Sequence, residues 1–309
     1  MIVAYIDRFR GRFGVEPICT VLTEHGIQIA PSTYYARAKK PVTVAELDEA
    51  YLVNALVTLH RENWSVYGAR KLWRAAQRAG LEVGRDQVGR LMRIAGITGM
   101  VRGRHRTVTT RRDESAPRHP DLVKRGWNTP TRADELWVAD FSYVWTLAGF
   151  VYVAFVVDVF SRRILGWRVS TSKHATLVTD AFRHALATRR WADVTWTATG
   201  LVHHSDAGSQ YTSVALTAEL HAAGVAGSIG TVGDALDNAL CESTIGLFKN
   251  EAIHGPSWTS RRDVEHQVAA WVHWYNTQRL HSSIGHLSPI EFEHHHRQTR
   301  TATPIPEAA

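Results

Sequence analysis

The sequence predicts a mixed α/β sheet flanked by helices, preceded by an all-helical region. Three observations carry this. Apolar residues recur at helical spacing as far as residue 97, and the periodicity lapses over 102–131. From Glu135 onward three strand-like segments meander before helices and strands alternate.

In the front region Tyr5, Ile6 and Phe9, then Ile18, Val21 and Leu22, mark two short helices, and Ser32 is placed to cap a third through Tyr34 and Tyr35. Residues 46–60 set Leu47, Tyr51, Leu52, Ala55, Leu56 and Leu59 along one stripe, as an amphipathic helix requires. Between Tyr67 and Ile97, Leu72, Trp73, Ala76 and Ala79 mark a helix stopped at Gly80. Asp86 can cap the next, with Val88, Leu91 and Met92 inward and Gly96 as its stop. A pair of short helices whose second member shows Arg85, Gln87, Arg90 and Arg93 outward suits a helix-turn-helix that touches DNA. The spacing alone fits a plain helical hairpin nearly as well.

Over 102–131, Arg102, Arg104, Arg106, Arg111 and Arg112 stand among Thr, Ser, Gly and Pro, a basic linker that is either a solvated spacer or a strap along a phosphate backbone. The string ELWVADFSYVWT then alternates, a hairpin turns near Ala148 and Gly149, and FVYVAFVVDVF and SRRILGWRVS supply two further strands. A helix over about 174–190, a strand over 198–205 and a helix over 213–223 follow.

Charge separates the two halves. Residues 1–130 carry a net +10 and residues 131–309 a net −3, which together give the +7 of the whole chain. An Arg-rich bias, 30 Arg against 6 Lys, would spread charge evenly, so a basic front half points to a polyanion partner. A chain of 309 residues with 44% hydrophobic and 9% aromatic content has material for two or three packed domains. The absence of an apolar run near 18 residues, or of a leading signal segment, predicts a soluble cytoplasmic protein without a membrane partner. Cys19 and Cys241 are too few for a disulfide framework or a four-ligand zinc site, and no Walker-type Gly-Lys-Ser/Thr string suggests nucleotide hydrolysis. His294–His296 form a tract on a polar tail, which carries no metal expectation by itself.

Three acidic residues stand out by position. Asp140 sits inside an apolar strand, where a carboxylate is expensive unless paired or metal-bound. Asp206 falls where the fourth strand runs out, and strand ends in α/β sheets are where ligands gather. Glu242 lies on a helix that Asp237 and Asn238 can cap. On that helix Cys241, Ile245, Phe248 and Ala252 form an inward stripe, and Glu242, Gly246 and Lys249 a neighbouring outward one. Gly246 there costs about 1 kcal/mol relative to Ala, and is either a tolerated glycine or room for a nucleic-acid strand. Each carboxylate alone has a bland reading, and Asp158 and Glu251 stay open as alternatives. The gap of 35 residues between Asp206 and Glu242 makes the set specific.

The strings LWVADFSYV, VVDVFSRRILGW, HHSDAGSQYTS, DALDNALCESTIGLFKNE and YNTQRLHSSIGHLSP, with IAPSTYYARAKK and YGARKLW…VGRLMRIAGI, resemble the OrfB-type transposases of the third insertion-sequence family. The resemblance runs from about residue 18 to residue 293. It implies a ribonuclease H-like, integrase-type core with a five-stranded mixed sheet. It also implies catalysis by Asp140, Asp206 and Glu242 holding two Mg²⁺, with Mn²⁺ able to substitute. By the same resemblance Lys249 touches DNA, and His204, Gln210, Tyr211 and Asn238 lie near the site. The implied partners are double-stranded DNA (transposon ends and target), a companion OrfA protein or OrfA–OrfB fusion, and further copies of the chain on DNA. The zinc domain of retroviral integrases has no counterpart here. The expected organisation is a helical DNA-binding region over 1–101, the linker over 102–131, the catalytic core over 132–295 and a tail over 296–309. Two other readings stay open at this stage: a non-catalytic DNA-binding regulator using the front half, and a nuclease acting on RNA–DNA hybrids.

Overall fold

The computed structural model describes residues 2–39, 42–101, 122, 130–206, 208–230, 239–253 and 257–302. Two compact units emerge, residues 1–58 and 59–309. The expectations for Arg102, Arg104, Arg106, Asp237 and Asn238 lie outside the described residues.

In the first unit, helices α1 (Ile2–Phe13), α2 (Val15–Glu24) and α3 (Pro31–Lys39) close on Ile6, Val15, Ile18, Cys19 and Tyr34. The Tyr34 hydroxyl donates to Asp7 at 2.6 Å and accepts from Arg10 at 3.1 Å, which satisfies the one polar atom carried inward. Ser32 does not cap α3. Pro31 is already the first helical residue, a position that suits its fixed φ and missing N–H. Helix α4 (Val44–Glu62) has the expected span, but its stripe is only partly inward: Leu56 is 1% exposed, while Leu47 and Tyr51 are exposed.

The second unit begins with the end of α4 and continues through α5 (Ala69–Arg78) and α6 (Arg85–Ala95). Leu72, Ala75 and Ala76 of α5 are buried, as are Val88, Leu91 and Met92 of α6, and Gly96 ends α6 in the left-handed conformation at φ 67°. Asp86 does not cap α6. Gly84 takes that position, and Asp86 sits in the first turn beside Arg85 at 3.0 Å, where its charge favours the helix dipole.

The sheet that follows is mixed and five-stranded, in the order β3-β2-β1-β4-β5. Strands β1 (Leu136–Thr146), β2 (Gly149–Asp158) and β3 (Ile164–Ser170) form the antiparallel meander, and β4 (Val202–Ser205) and β5 (Ala226–Ile229) run parallel to β1. Strand β4 is shorter than its apolar string suggests. Residues 198–201 turn instead, with Gly200 at φ 79° and the Leu201 N–H bonded back to Ala198, and bury Ala198 and Leu201.

Helices α7 (Ala175–Ala192) and α8 (Val214–Ala222) cover one face of the sheet around Trp137, Ala154, Val156, Phe182 and Leu216. Gly166 permits this packing, because a Cβ there would lie 2.1 Å from the Ala181 carbonyl oxygen. The other face meets α9 (Ala239–Glu251) and α10 (Arg261–Thr277) through Phe155, Phe248 and Trp271, whose rings stand 5.2–6.0 Å apart. A short 3₁₀ turn (Ser282–Ile284) and α11 (Pro289–Ala302) complete the unit.

Buried ion pairs tie its ends together. Arg189 on α7 bonds both oxygens of Glu293 on α11, at 2.7 and 2.9 Å, and Asp134 at 2.7 Å. Among the described residues, no helix is long and apolar enough to cross a membrane.

Candidate active site

Strand register brings the first two carboxylates together. Strand β1 pairs with β4 from Leu136↔Val202 to Ala139↔Ser205, and the next residue on each strand is Asp140 and Asp206. Beyond that point β1 keeps β2 as its neighbour but has lost β4, so Asp140 stands at an opening in the sheet. Helix α9 packs against β1 and β2 with Cys241, Ile245 and Phe248 buried, which leaves Glu242 exposed in its first turn.

The electrostatics show that these groups sense one another. Burial raises the Asp140 pKa well above the usual carboxylate range, and the charges of Asp206 and then Glu242 push it the same way. The Phe141 N–H, donating at 2.7 Å, and Lys249 oppose the rise. Burial also raises Asp206, opposed by the Gly208 N–H at 3.1 Å. The Cys241 thiol, buried beneath, is pushed well up by burial and by all three carboxylates. Among the described residues, no group of three or more His, Cys, Asp or Glu side chains is gathered tightly enough to hold a metal ion. Like charges left to themselves stay apart.

Tyr211 lies between the two aspartates and the core. Its ring packs 6.2 Å from Phe141 and is 2% exposed, and burial, Asp140 and Asp206 raise its pKa well above normal. Its hydroxyl is buried and has no hydrogen-bond partner among the described residues. Lys249, two turns along α9 from Glu242, lays its ammonium 5.0 Å from the Tyr143 ring centroid. Burial lowers its pKa while Asp140 supports the charge.

Other residues singled out from the sequence lie elsewhere or play other parts. His204 is buried on β4, and its Nδ1 lies 2.8 Å from Ser228 Oγ on β5. Gln210 accepts from Ser209 Oγ at 3.3 Å in the loop after Asp206. Arg85, Gln87, Arg90 and Arg93 are all exposed on α6. Asp158 spends its oxygens on Ser161, on the Asp134 N–H and on the nearby Arg189 cation, and Glu251 spends both of its oxygens on Arg279. Both are internally committed, so the alternatives left open by the sequence lose their lone pairs to the fold. Sequence reasoning missed Tyr143, whose only signal was its place three residues past Asp140 in DFSY.

The donor chemistry, though not gathered tightly enough among the described residues to hold an ion, is of the type a hard divalent cation takes. It is made of carboxylate oxygens with like charges in mutual range, beside a buried hydroxyl that lacks a partner.

Comparison with known proteins covers most of the chain. Residues 130–235 and 223–289 match two family models each described as Integrase core domain, and residues 46–105 match one described as HTH-like domain. The chain is 44% identical over 295 residues to the transposase for insertion sequence element IS629 of Shigella sonnei, covering 93% of this chain and 94% of that one. It is 44% identical over 266 residues to the putative transposase for insertion sequence element IS986/IS6110 of Mycobacterium tuberculosis, covering 86% and 95%. Among solved structures, the catalytic core domain of BIV integrase aligns with a TM-score of 0.39 at 18% identity, over 54% of this chain and 99% of that one.

Proposed function

Because the chain belongs to the transposases of the third insertion-sequence family, which join an integrase core domain to an HTH-like domain, we propose that Asp140, Asp206 and Glu242 are its catalytic residues and hold two Mg²⁺. It is a polynucleotidyl transferase-type enzyme of DNA transposition. The observation that carries the assignment is the register of β1 and β4, which sets Asp140 and Asp206 on neighbouring positions at the strand opening. Glu242 enters from α9 near enough for its charge to bear on Asp140.

When bound, two divalent ions stabilise the charge that grows on the entering and leaving oxygens of a phosphodiester and activate the attacking hydroxyl. The residues of the chain prepare that chemistry. Asp140, on which the charges of both Asp206 and Glu242 bear, would hold the metal from its fixed place on β1. Glu242, exposed at the start of α9, would complete the ligand set from the open side. Tyr211 holds a buried hydroxyl beside the two aspartates, a donor for a ligand oxygen. Lys249 positions a phosphate as a point charge, its ammonium lying over the Tyr143 ring. No covalent protein–DNA intermediate is required, so no Ser or Tyr nucleophile is assigned. Mn²⁺ substitutes for Mg²⁺ at such oxygen ligands. The exposed α6 residues Arg85, Gln87, Arg90 and Arg93 form the DNA-reading face, with Arg102, Arg104 and Arg106 in the basic linker adding phosphate contacts. The partners are transposon ends and target duplex, with a companion OrfA protein and further copies of the chain on DNA.

The test is nicking of a duplex carrying an insertion-sequence end. Asp140→Asn, Asp206→Asn and Glu242→Gln should each abolish Mg²⁺-dependent nicking while gel-shift binding of the same duplex persists. A variant that still nicks removes its residue from the site.

A further inference from the structure

A cavity of about 560 Å³ opens on the flank of α9 beside the candidate active site. Ala239, Ser243 and Leu247 of α9 line it, about 60–140° around the helix from Glu242, so its wall adjoins the outward stripe of Glu242, Gly246 and Lys249. Three cations join the lining, Lys71 from α5, Arg162 from the β2–β3 turn and Arg279 after α10, beside Ser282 and His281, whose ring burial and then Arg279 keep neutral.

The charges there do not balance. Arg279 is neutralised by Glu251, at 2.6–3.1 Å. Lys71 and Arg162 form no ion pair with a carboxylate among the described residues. The Lys71 ammonium has the Tyr67 ring, 5.5 Å away, as its recorded contact. Burial and then the Arg279 cation push it down to about 8, with Glu251 opposing. Two nitrogens of the lining, Arg162 Nε and His281 Nε2, are buried and have no hydrogen-bond partner among the described residues. His281 as a whole is 6% exposed and is held by the Tyr275 ring at 4.5 Å. Arg162 is held at φ 66°, a left-handed conformation that glycine would adopt at lower cost.

Cations brought together with one carboxylate among them, and polar nitrogens left unpaired, are costly unless a further anion completes the set. Ser243 and Ser282 line the same space, and their hydroxyls suit the oxygens of a tetrahedral anion. The adjoining stripe of α9 carries Lys249, so a strand lying along the outer side of α9 can reach both places.

We propose that this cavity seats a backbone phosphate of the bound DNA, held by Lys71, Arg162 and the His281 side of the pocket. The proposal rests on the family's DNA chemistry and not on the assignment of the three carboxylates. The seat joins α5 of the HTH-like segment to α9 of the integrase core through one phosphate. It thereby couples recognition of the end to its placement along α9.

The experiment measures binding of full-length protein to an insertion-sequence end duplex, in EDTA, over a range of salt concentrations. Without divalent cation, failure of the carboxylate assignment cannot affect the result. Lys71→Met removes the charge but keeps the buried stem, so it should fold at least as stably as the parent. It should lower affinity and reduce the slope of log K against log salt by roughly one unit. Lys71→Arg should restore the slope. Arg162→Gly, which suits the φ of that residue, should lower it too, and the double variant should lose less than the two singles together because one phosphate is shared. Inorganic phosphate should raise the Tm of the parent and of Arg70→Met, an exposed control on the same helix, and leave Lys71→Met unmoved. An unchanged slope in both Lys71→Met and Arg162→Gly overturns the proposal. A phosphate-dependent Tm rise with an unchanged DNA slope also overturns it, in favour of a small free anion.

Discussion

Asp140 and Asp206 stand side by side, each one residue past the last pair of β1 with β4, Ala139↔Ser205, while Asp140 stays paired with Phe155 of β2. A parallel pair that ends at the same register on both strands delivers two successive side chains to one opening. It does so through backbone pairing, so the two carboxylates stay in mutual range although they repel. The cost of that repulsion is visible in Asp140, whose ionised form is disfavoured first by burial, then by Asp206 and Glu242.

This cost sets a stability test that does not use activity. A carboxyl whose folded pKa is raised contributes stability in full below its unfolded value, about pH 4, and loses it as pH rises through the folded value. At neutral pH the ionised Asp140 therefore opposes folding. Asp140→Asn should raise Tm in EDTA at pH 7.5, by roughly 2–4 °C for each 1 kcal/mol relieved. Mg²⁺ or Mn²⁺ should raise the Tm of the parent and leave the variant unmoved. A parent Tm indifferent to both ions in differential scanning fluorimetry would remove metal binding from these residues.

The network around Arg189 gives a pH signature elsewhere in the core. Asp158, fully buried, is raised to about 6 by burial, with Arg189 and the N–H groups of Asp134 and Ser161 opposing. Its contribution is present below about pH 4 and lost as pH rises to 6. Glu293 behaves oppositely. Burial disfavours its charge, but the bonds from Arg189 and then the charges of Arg189 and Arg163 hold it at about 2, so its contribution is present above about pH 4 and lost as pH falls through 2. Urea unfolding should show stability falling from pH 4 to 6 in the parent, and Asp158→Asn should flatten that interval while leaving the acid limb below pH 4. An unchanged slope between pH 4 and 6 in Asp158→Asn would show that its carboxyl titrates normally in the fold.

The sequence made the meander, α7 and the α9 stripes legible because each buries a face at a regular period. Cys241, Ile245 and Phe248 are spaced for a helix, and they are buried as that spacing requires. What it hid depends on pairing between distant segments. Strand β5 is four residues, Ala226–Ile229, with no alternation of its own, and is defined only by hydrogen bonds to β4. The acidic residues could be singled out locally, by a carboxylate in an apolar strand and by a spacing of 35, but their shared opening comes from register. Lys71 carries no signal of its own in the sequence. Its neighbour Arg279 stands 208 residues later, and no local pattern connects the two.

Gly166 offers a packing test. A methyl group at this position would meet the Ala181 carbonyl oxygen at 2.1 Å and the Ala185 N at 2.7 Å, both backbone atoms of α7. Helix α7 has to move away from β3 to admit it. Overpacking of this kind typically costs about 1–3 kcal/mol. Gly166→Ala should therefore lower the denaturation midpoint by that amount, and should do so without changing the m-value if the fold is retained. A variant as stable as the parent would mean that α7 tolerates displacement.

The pair Glu251 and Arg279 separates the worth of an ion pair from the cost of breaking it. Both side chains are buried, at 6% and 4% exposure, and the guanidinium is bonded to both carboxylate oxygens. Burial works against the Arg279 cation, and Glu251 more than restores it. The Trp271 indole N–H also donates to Glu251, at 3.2 Å. Removing the carboxylate alone strands a buried cation next to Lys71, so Glu251→Ala should cost about 3–5 kcal/mol in urea unfolding. Replacing both partners by apolar residues of similar length removes the stranded charge as well as the pair. The double variant Glu251→Met with Arg279→Met should therefore be more stable than Glu251→Ala, although it carries two changes. If the double variant is the less stable of the two, the pair makes a net contribution larger than its desolvation cost, and the Trp271 bond is the next interaction to remove in a double-mutant cycle.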